Sequence, residues 1–279
     1  MIKQLIKFVF GLAFLCLMSC SPKTHELSFD YGTKNDSARF YFHKGWAEIM
    51  DHGRWTESER AFRKASELDP DWLLGKSMVA RITRNLEERQ QILKKLEQYK
   101  NEANDDERLL LDVNMLTHIA SNNRDQGIPN TPEFNQKRFA LAEKNFGEFA
   151  RKYPEDNYFK AEYIEFLHLN HGAQTALDSL NLISSPVQKE LGFYISYAAN
   201  LELELGNIKN AKKRLQTLKS KFTDPSYTSP LMLQAQVLMA QDSLQKAYKL
   251  INKVIEIDTN HMIARGTQAR LKRQLETND

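Results

Sequence analysis

Glu165, His168 and His171 form the run Glu165-x2-His168-x2-His171, the nearest approach to a metal-ligand set in the chain. On a helix those spacings bring neighbouring side chains onto adjoining faces, and imidazole with carboxylate is a reasonable zinc set. His171 precedes Gly172, where the helix should end. A histidine near a helix C-terminus is favoured by the helix dipole without any metal, so no metal and no cofactor are expected. Glu202 and Glu204, read as a general acid and base, fail on geometry. Two residues apart on a helix, they diverge by about 200°. The aromatic group Tyr153, Tyr158, Phe159, Tyr163 and Phe166 reads as helix packing rather than a ligand cage. The chain carries no phosphate-binding glycine loop, dinucleotide fingerprint, Gly-x-Ser-x-Gly elbow or His-Glu-x-x-His helix. Its two cysteines are Cys16 and Cys20. No catalytic set is expected.

The elements around these residues are helical. From Ala38 onward apolar residues recur at helical spacing, and Gly and Pro retreat to the gaps between runs. One template recurs: Trp55-x2-Ser58-x3-Phe62-x2-Ala65-x4-Pro70, then Phe139-x2-Ala142-x3-Phe146-x2-Phe149-x4-Pro154, then Ala173-x2-Ala176-x3-Leu180-x2-Ile183. It returns as Ile208-x2-Ala211-x3-Leu215-x2-Leu218 and Leu244-x2-Ala247-x3-Ile251-x2-Val254, with a weaker copy at Ile92-x3-Leu96-x2-Tyr99. A small residue lets two helices approach, and the larger ones four and seven positions later lie on the same face. Ala142, Ala176, Ala211 and Ala247 are 34, 35 and 36 residues apart. From Ile92 to Ala142 the step is longer, and the polar run Ser121–Thr131 accommodates the excess as a loop between helices 105–120 and 132–152. Helices are expected near 157–170, 173–183, 188–205, 207–222, 227–241, 243–257 and 261–274.

These copies resemble the tetratricopeptide (TPR) repeat, a helix pair of period 34 that stacks into a superhelix. The resemblance implies an all-α, TPR-like α-solenoid of about six helix-turn-helix repeats over 38–276, with a C-terminal capping helix. In that family the first helix of each pair lines a concave groove that receives peptides or proteins. By register, the groove residues here would be Arg81, Arg84, Tyr158, Glu165, His168, Asn200, Glu204 and Gln236. Some members clamp a C-terminal carboxylate with a lysine four residues before an asparagine. Here Ser196 precedes Asn200, so that clamp is incomplete.

Lys3 and Lys7, the apolar run Phe8–Met18 and Leu17-Met18-Ser19-Cys20 have the plan of a secretory signal. The eleven-residue run is shorter than the ~20 residues that span a bilayer. Leu-Met-Ser-Cys resembles the lipobox of bacterial lipoproteins, which implies that residues 1–19 are removed and Cys20 is acylated. A membrane anchor, or a signal cut elsewhere, is the alternative. Loss of Lys3 and Lys7 lowers the formal charge from +3 to +1, and charges of both signs are interleaved. That pattern argues against a nucleic-acid partner. Residues 20–37 lack periodicity and read as a flexible tether, with an end-to-end distance of roughly 20–25 Å.

Together the two resemblances imply a lipid-anchored, non-enzymatic envelope scaffold, expected at the outer membrane and facing the periplasm, binding another envelope protein. The lipoprotein of the outer-membrane β-barrel assembly machine shares the layout, and Phe146-Gly-Glu-Phe149-Ala-Arg-Lys-Tyr153-Pro154 is similar to its repeats. Adaptors for peptidoglycan hydrolases are the alternative. A solute-binding or hydrolytic lipoprotein is the rival class.

Overall fold

The computed structural model describes residues 29–277. Cys20 and the signal segment lie outside the described residues. Those residues form twelve α-helices and no strand. They are α1 (Asp36–Met50), α2 (Trp55–Leu68), α3 (Leu73–Ile82), α4 (Leu86–Tyr99), α5 (Asp105–Asp125) and α6 (Pro132–Lys152). The order continues with α7 (Tyr158–Ile183), α8 (Gly192–Glu204), α9 (Ile208–Lys221), α10 (Ser229–Met239), α11 (Leu244–Ile257) and α12 (Met262–Glu276). The helix starts obey local chemistry. Asn35, Asn85, Asn104 and Thr131 each accept a hydrogen bond from an otherwise unpaired N–H of the first turn. Pro132 follows the Thr131 cap, where its missing N–H has no consequence.

Each helix packs on the one before it, and α3 with α5 and α8 with α10 also touch. The recurring small positions make these approaches close. Ser58, Ala142, Ala176, Ala211 and Ala247 are fully buried, and so, or nearly so, are Phe62, Phe146, Leu180, Leu215 and Ile251 four residues later. Ser58 donates its hydroxyl to the Gly45 carbonyl of α1 at 2.7 Å. The core therefore runs as four successive clusters instead of one. The first is the richest, built on Phe42, Trp46, Phe62, Trp72, Phe146, Phe149 and Phe159.

Two expectations change. The tether does not extend to residue 37 as a free segment. Phe29 packs edge-on against Phe149 at 5.0 Å, Tyr31 is 9% exposed, and the Tyr31 hydroxyl donates to Asp156. The Thr33 hydroxyl donates to Asp69 Oδ2 at 2.6 Å. Two aromatics in a turn-rich segment have no helical period to mark them, yet they cap the largest cluster. Second, α5 runs to Asp125, five residues into the expected loop, because Arg89 of α4 holds Asp125 at 2.7 Å and bonds Asn122. The expected break between the helices near 157–170 and 173–183 is present: α7 is interrupted at Gly172, whose φ is 84° and ψ 174°.

The turn between α1 and α2 reaches residues far along the chain. Thr228 and Ser229 donate their N–H groups to His52 O at 2.9 and 3.2 Å. Their hydroxyls donate to Gly53 O at 2.7 Å and Asp51 O at 2.8 Å. Phe193 N–H donates to Asp51 Oδ1 at 2.9 Å, and Thr56 donates both N–H and O–H to Asp258 at 3.1 and 2.6 Å. His52 stacks flat on Tyr227 at 4.1 Å. The first hairpin is thus clasped to the starts of α8 and α10 and to the α11–α12 turn.

Gly53 makes the clasp possible. Its φ is +74°, and an added Cβ would lie 2.5 Å from Thr228 Oγ1 and 2.8 Å from Ser229 N. Gly53→Ala is therefore expected to cost about 1–3 kcal/mol, seen as a lower thermal midpoint. An unchanged midpoint would remove the clasp from the stability argument.

Candidate functional site

The clasp and the helices behind it enclose a cavity of about 450 Å³, within the range of small-ligand sites. Its walls are largely apolar, with Trp46 from α1, Trp55 from α2, Met78 from α3, Phe193 from α8, Met232 from α10 and Met262 from α12. Six helices, the second of them starting at the clasped turn, supply these side chains.

One polar group crosses the cavity wall. Arg81 of α3 makes a two-pronged ion pair with Glu162 of α7, at 2.7 and 3.1 Å. Glu162 is 2% exposed. The Arg81 guanidinium also lies 5.3 Å from the Trp46 ring centre, whose other stacking neighbour is Tyr158 at 5.9 Å and 9°. One turn after Glu162 comes Glu165, and both line the cavity. Glu165 has no hydrogen-bond or ion-pair partner among the described residues. Protein surrounds its carboxyl, although the cavity keeps the residue partly accessible. Burial pushes its pKa up to about 8; nearby Glu162 adds to this and Arg81 opposes it.

Three further lining residues carry unmet polar atoms. Trp46 Nε1, Ser196 Oγ and Asn200 Oδ1 are buried and have no hydrogen-bond partner among the described residues. Native interiors leave few such groups. At the far wall His261 accepts from Ala264 N–H at 3.2 Å through Nδ1. Burial drives its pKa down to about 4, so its ring is neutral.

The structure divides the eight groove residues read from sequence. Arg81, Glu165, Asn200 and Gln236, from four different helices, line the cavity together. Arg84 sits at the exposed α3–α4 turn, 3.4 Å from Asn260 Oδ1. Tyr158 lies behind Trp46, its hydroxyl 3.3 Å from Asp51 Oδ2. His168 is held between the Tyr197 hydroxyl at 2.8 Å and Glu204 at 2.9 Å, away from the cavity lining. The Glu165/His168/His171 run does not converge: His171 bonds Glu143 at 2.9 Å while Glu165 turns inward. Among the described residues no group of three or more His, Cys, Asp or Glu is placed to hold a metal ion.

Sequence reasoning missed Trp46, Glu162, Ser196 and Tyr197. Glu162 was findable, one turn before Glu165 on the same face. Its pairing with Arg81, 81 residues earlier, leaves no local signal. None of residues 121–131 lines the cavity. Comparison with known proteins finds no family model that matches this chain and no curated protein that matches it.

Proposed function

We propose that this chain is a non-enzymatic adaptor of the cell envelope, a TPR-like array of helix pairs tethered to the membrane through an acylated Cys20. It holds a segment of another envelope protein at its concave side. The observation that carries this reading is the convergence of Arg81, Glu165, Asn200 and Gln236 in one half-open apolar cavity. Those positions were picked by repeat register alone, and they come from separate helices. The fully buried small positions of the successive pairs support the repeat reading. Apolar walls with a few convergent polar groups are what a binding site needs. Among the described residues no helix is long and apolar enough to cross a membrane, so the attachment rests on the N-terminal segment.

A photo-crosslinking side chain at Gln236 in intact cells tests the reading. A discrete protein adduct is expected there, and none from the same side chain placed at Lys253 on the exposed face of α11. Adducts only with lipid, or equal adducts at both positions, would count against an adaptor working through this cavity.

A further inference from the structure

The cavity is unusual in its charge inventory. Its lining holds one guanidinium, Arg81, against two carboxyl groups, Glu162 and Glu165. Arg81 spends both terminal nitrogens on Glu162. That leaves Glu165 facing the cavity without a cation. His261 does not compensate, since its Nδ1 is engaged by the Ala264 N–H. A carboxyl without a cation inside an apolar wall is relieved either by a proton or by a ligand's positive charge.

Among the described residues, the unmet hydrogen-bonding atoms of the lining are two oxygens and one indole N–H. Asn200 Oδ1 is an acceptor with no donor, Ser196 Oγ one turn away on α8 can accept or donate, and Trp46 Nε1 is a donor with no acceptor. With the Glu165 carboxylate the two oxygens can offer three acceptors around one space. An ammonium group has three N–H donors and no acceptor, whereas a carboxylate ligand would bring more acceptors and a repelled charge. Beyond the polar group the walls are Trp46, Trp55, Phe193 and methionines. They suit an alkyl stem.

We infer that this cavity receives a primary ammonium on a short apolar stem, with Glu165 as its counter-ion and Ser196 and Asn200 as hydrogen-bond acceptors. The inference deepens the adaptor reading and rests on it in one respect: the stem is the side chain of a lysine presented by the partner. Entry of the ammonium group holds Glu165 in its ionised form, so the pair forms with release of one proton at neutral pH. The raised pKa of the empty site, about 8, agrees with a carboxyl that lacks its cation.

The test uses the purified full chain with n-hexylammonium as probe, read by quenching of tryptophan fluorescence. n-Hexanol and hexanoate serve as the neutral and anionic comparisons. Hexylammonium is expected to bind at least about tenfold more tightly than either, the usual scale of one charge-assisted hydrogen bond. Glu165→Gln is expected to remove that advantage while hexanol binding stays unchanged, which shows that the cavity is intact. Equal or tighter binding of hexanoate, no binding of hexylammonium, or an unaffected Glu165→Gln variant would overturn the inference.

The cellular arm separates this from the adaptor reading. Glu165→Gln is expected to cut the Gln236 protein adduct at least about tenfold. Hexylammonium binding with the adduct unchanged would overturn the lysine as the source and assign the site to a free amine. An adduct without hexylammonium binding would overturn the ammonium inference alone. Hexylammonium binding without any protein adduct would overturn the adaptor reading alone.

Discussion

Arg81→Met is expected to destabilise the protein by about 3–5 kcal/mol, because it strands a buried carboxylate. Glu162 is 2% exposed, and both of its oxygens are held by Arg81. Methionine keeps the stem that packs near Trp46 but offers no donor. The ion pair itself is not the origin of so large an effect. In a low-dielectric interior the mutual attraction roughly offsets the desolvation of the two ions. The double variant Arg81→Met/Glu162→Leu is therefore expected to recover most of the loss. Chemical denaturation of the two single variants and the double variant would measure it. Additive losses in the double variant would mean that Arg81 acts through packing on Trp46 and not through Glu162.

Glu165→Gln is expected to stabilise the unliganded protein, increasingly so as pH rises. The carboxyl titrates near 8 in the folded chain against an ordinary 4.5. A group whose pKa is raised by folding supports the fold while protonated and withdraws that support as pH rises through the folded value. Glutamine cannot ionise, so it keeps the support. Glu162 and Tyr197 face the same carboxyl and add negative charge or none, and Arg81 is already paired. After allowance for its partial exposure, the difference is on the order of 2–4 kcal/mol at pH 9. That corresponds to roughly 5–10 °C in the thermal midpoint, shrinking to about a degree or two at pH 5.

Glu107, pushed up to about 7 by burial, also weakens the protein at alkaline pH, but equally in both chains. His118 and His261, lowered by burial to about 3 and about 4, act on the acid side. They must remain neutral, so their contribution fades as pH falls below about 6.5. A gap between the two chains that does not change with pH would sink the account of Glu165. A gain in stability at the cost of amine binding is the trade expected of a site kept imperfect for its ligand.

The helices were legible because their signals are local. Period, caps and breakers placed α6 at Pro132–Lys152 and marked Gly172 as an interruption. The small-residue template was legible too, since Ala142, Ala176, Ala211 and Ala247 needed no knowledge of their partners to be read as contact points. What escaped were contacts whose two halves lie far apart in sequence. Phe29 and Tyr31 sit in a segment with no period, and only the presence of Phe149 and Asp156 gives them a place. Of the groove residues chosen by register, Arg81, Glu165, Asn200 and Gln236 line the cavity. Arg84, Tyr158, His168 and Glu204 are not among the lining residues: Tyr158 is used against Trp46 and Asp51, and His168 pairs with Glu204. No metal geometry follows from Glu165-x2-His168-x2-His171 once the helix turns the first inward and the others outward.

The bonds from Asp51, His52, Gly53 and Thr56 to residues 193, 228, 229 and 258 span between 142 and 202 positions of the chain. The other helix contacts are mostly between consecutive helices, and each can form as soon as its two helices exist. Such local assembly is fast, and its pieces can open one at a time. The clasp alters that kinetic character, because its two sides meet only after most of the intervening helices are in place. Refolding should therefore be biphasic, with far-ultraviolet ellipticity returning ahead of the environment of Trp55, and the cavity should be the last part of the molecule to exist.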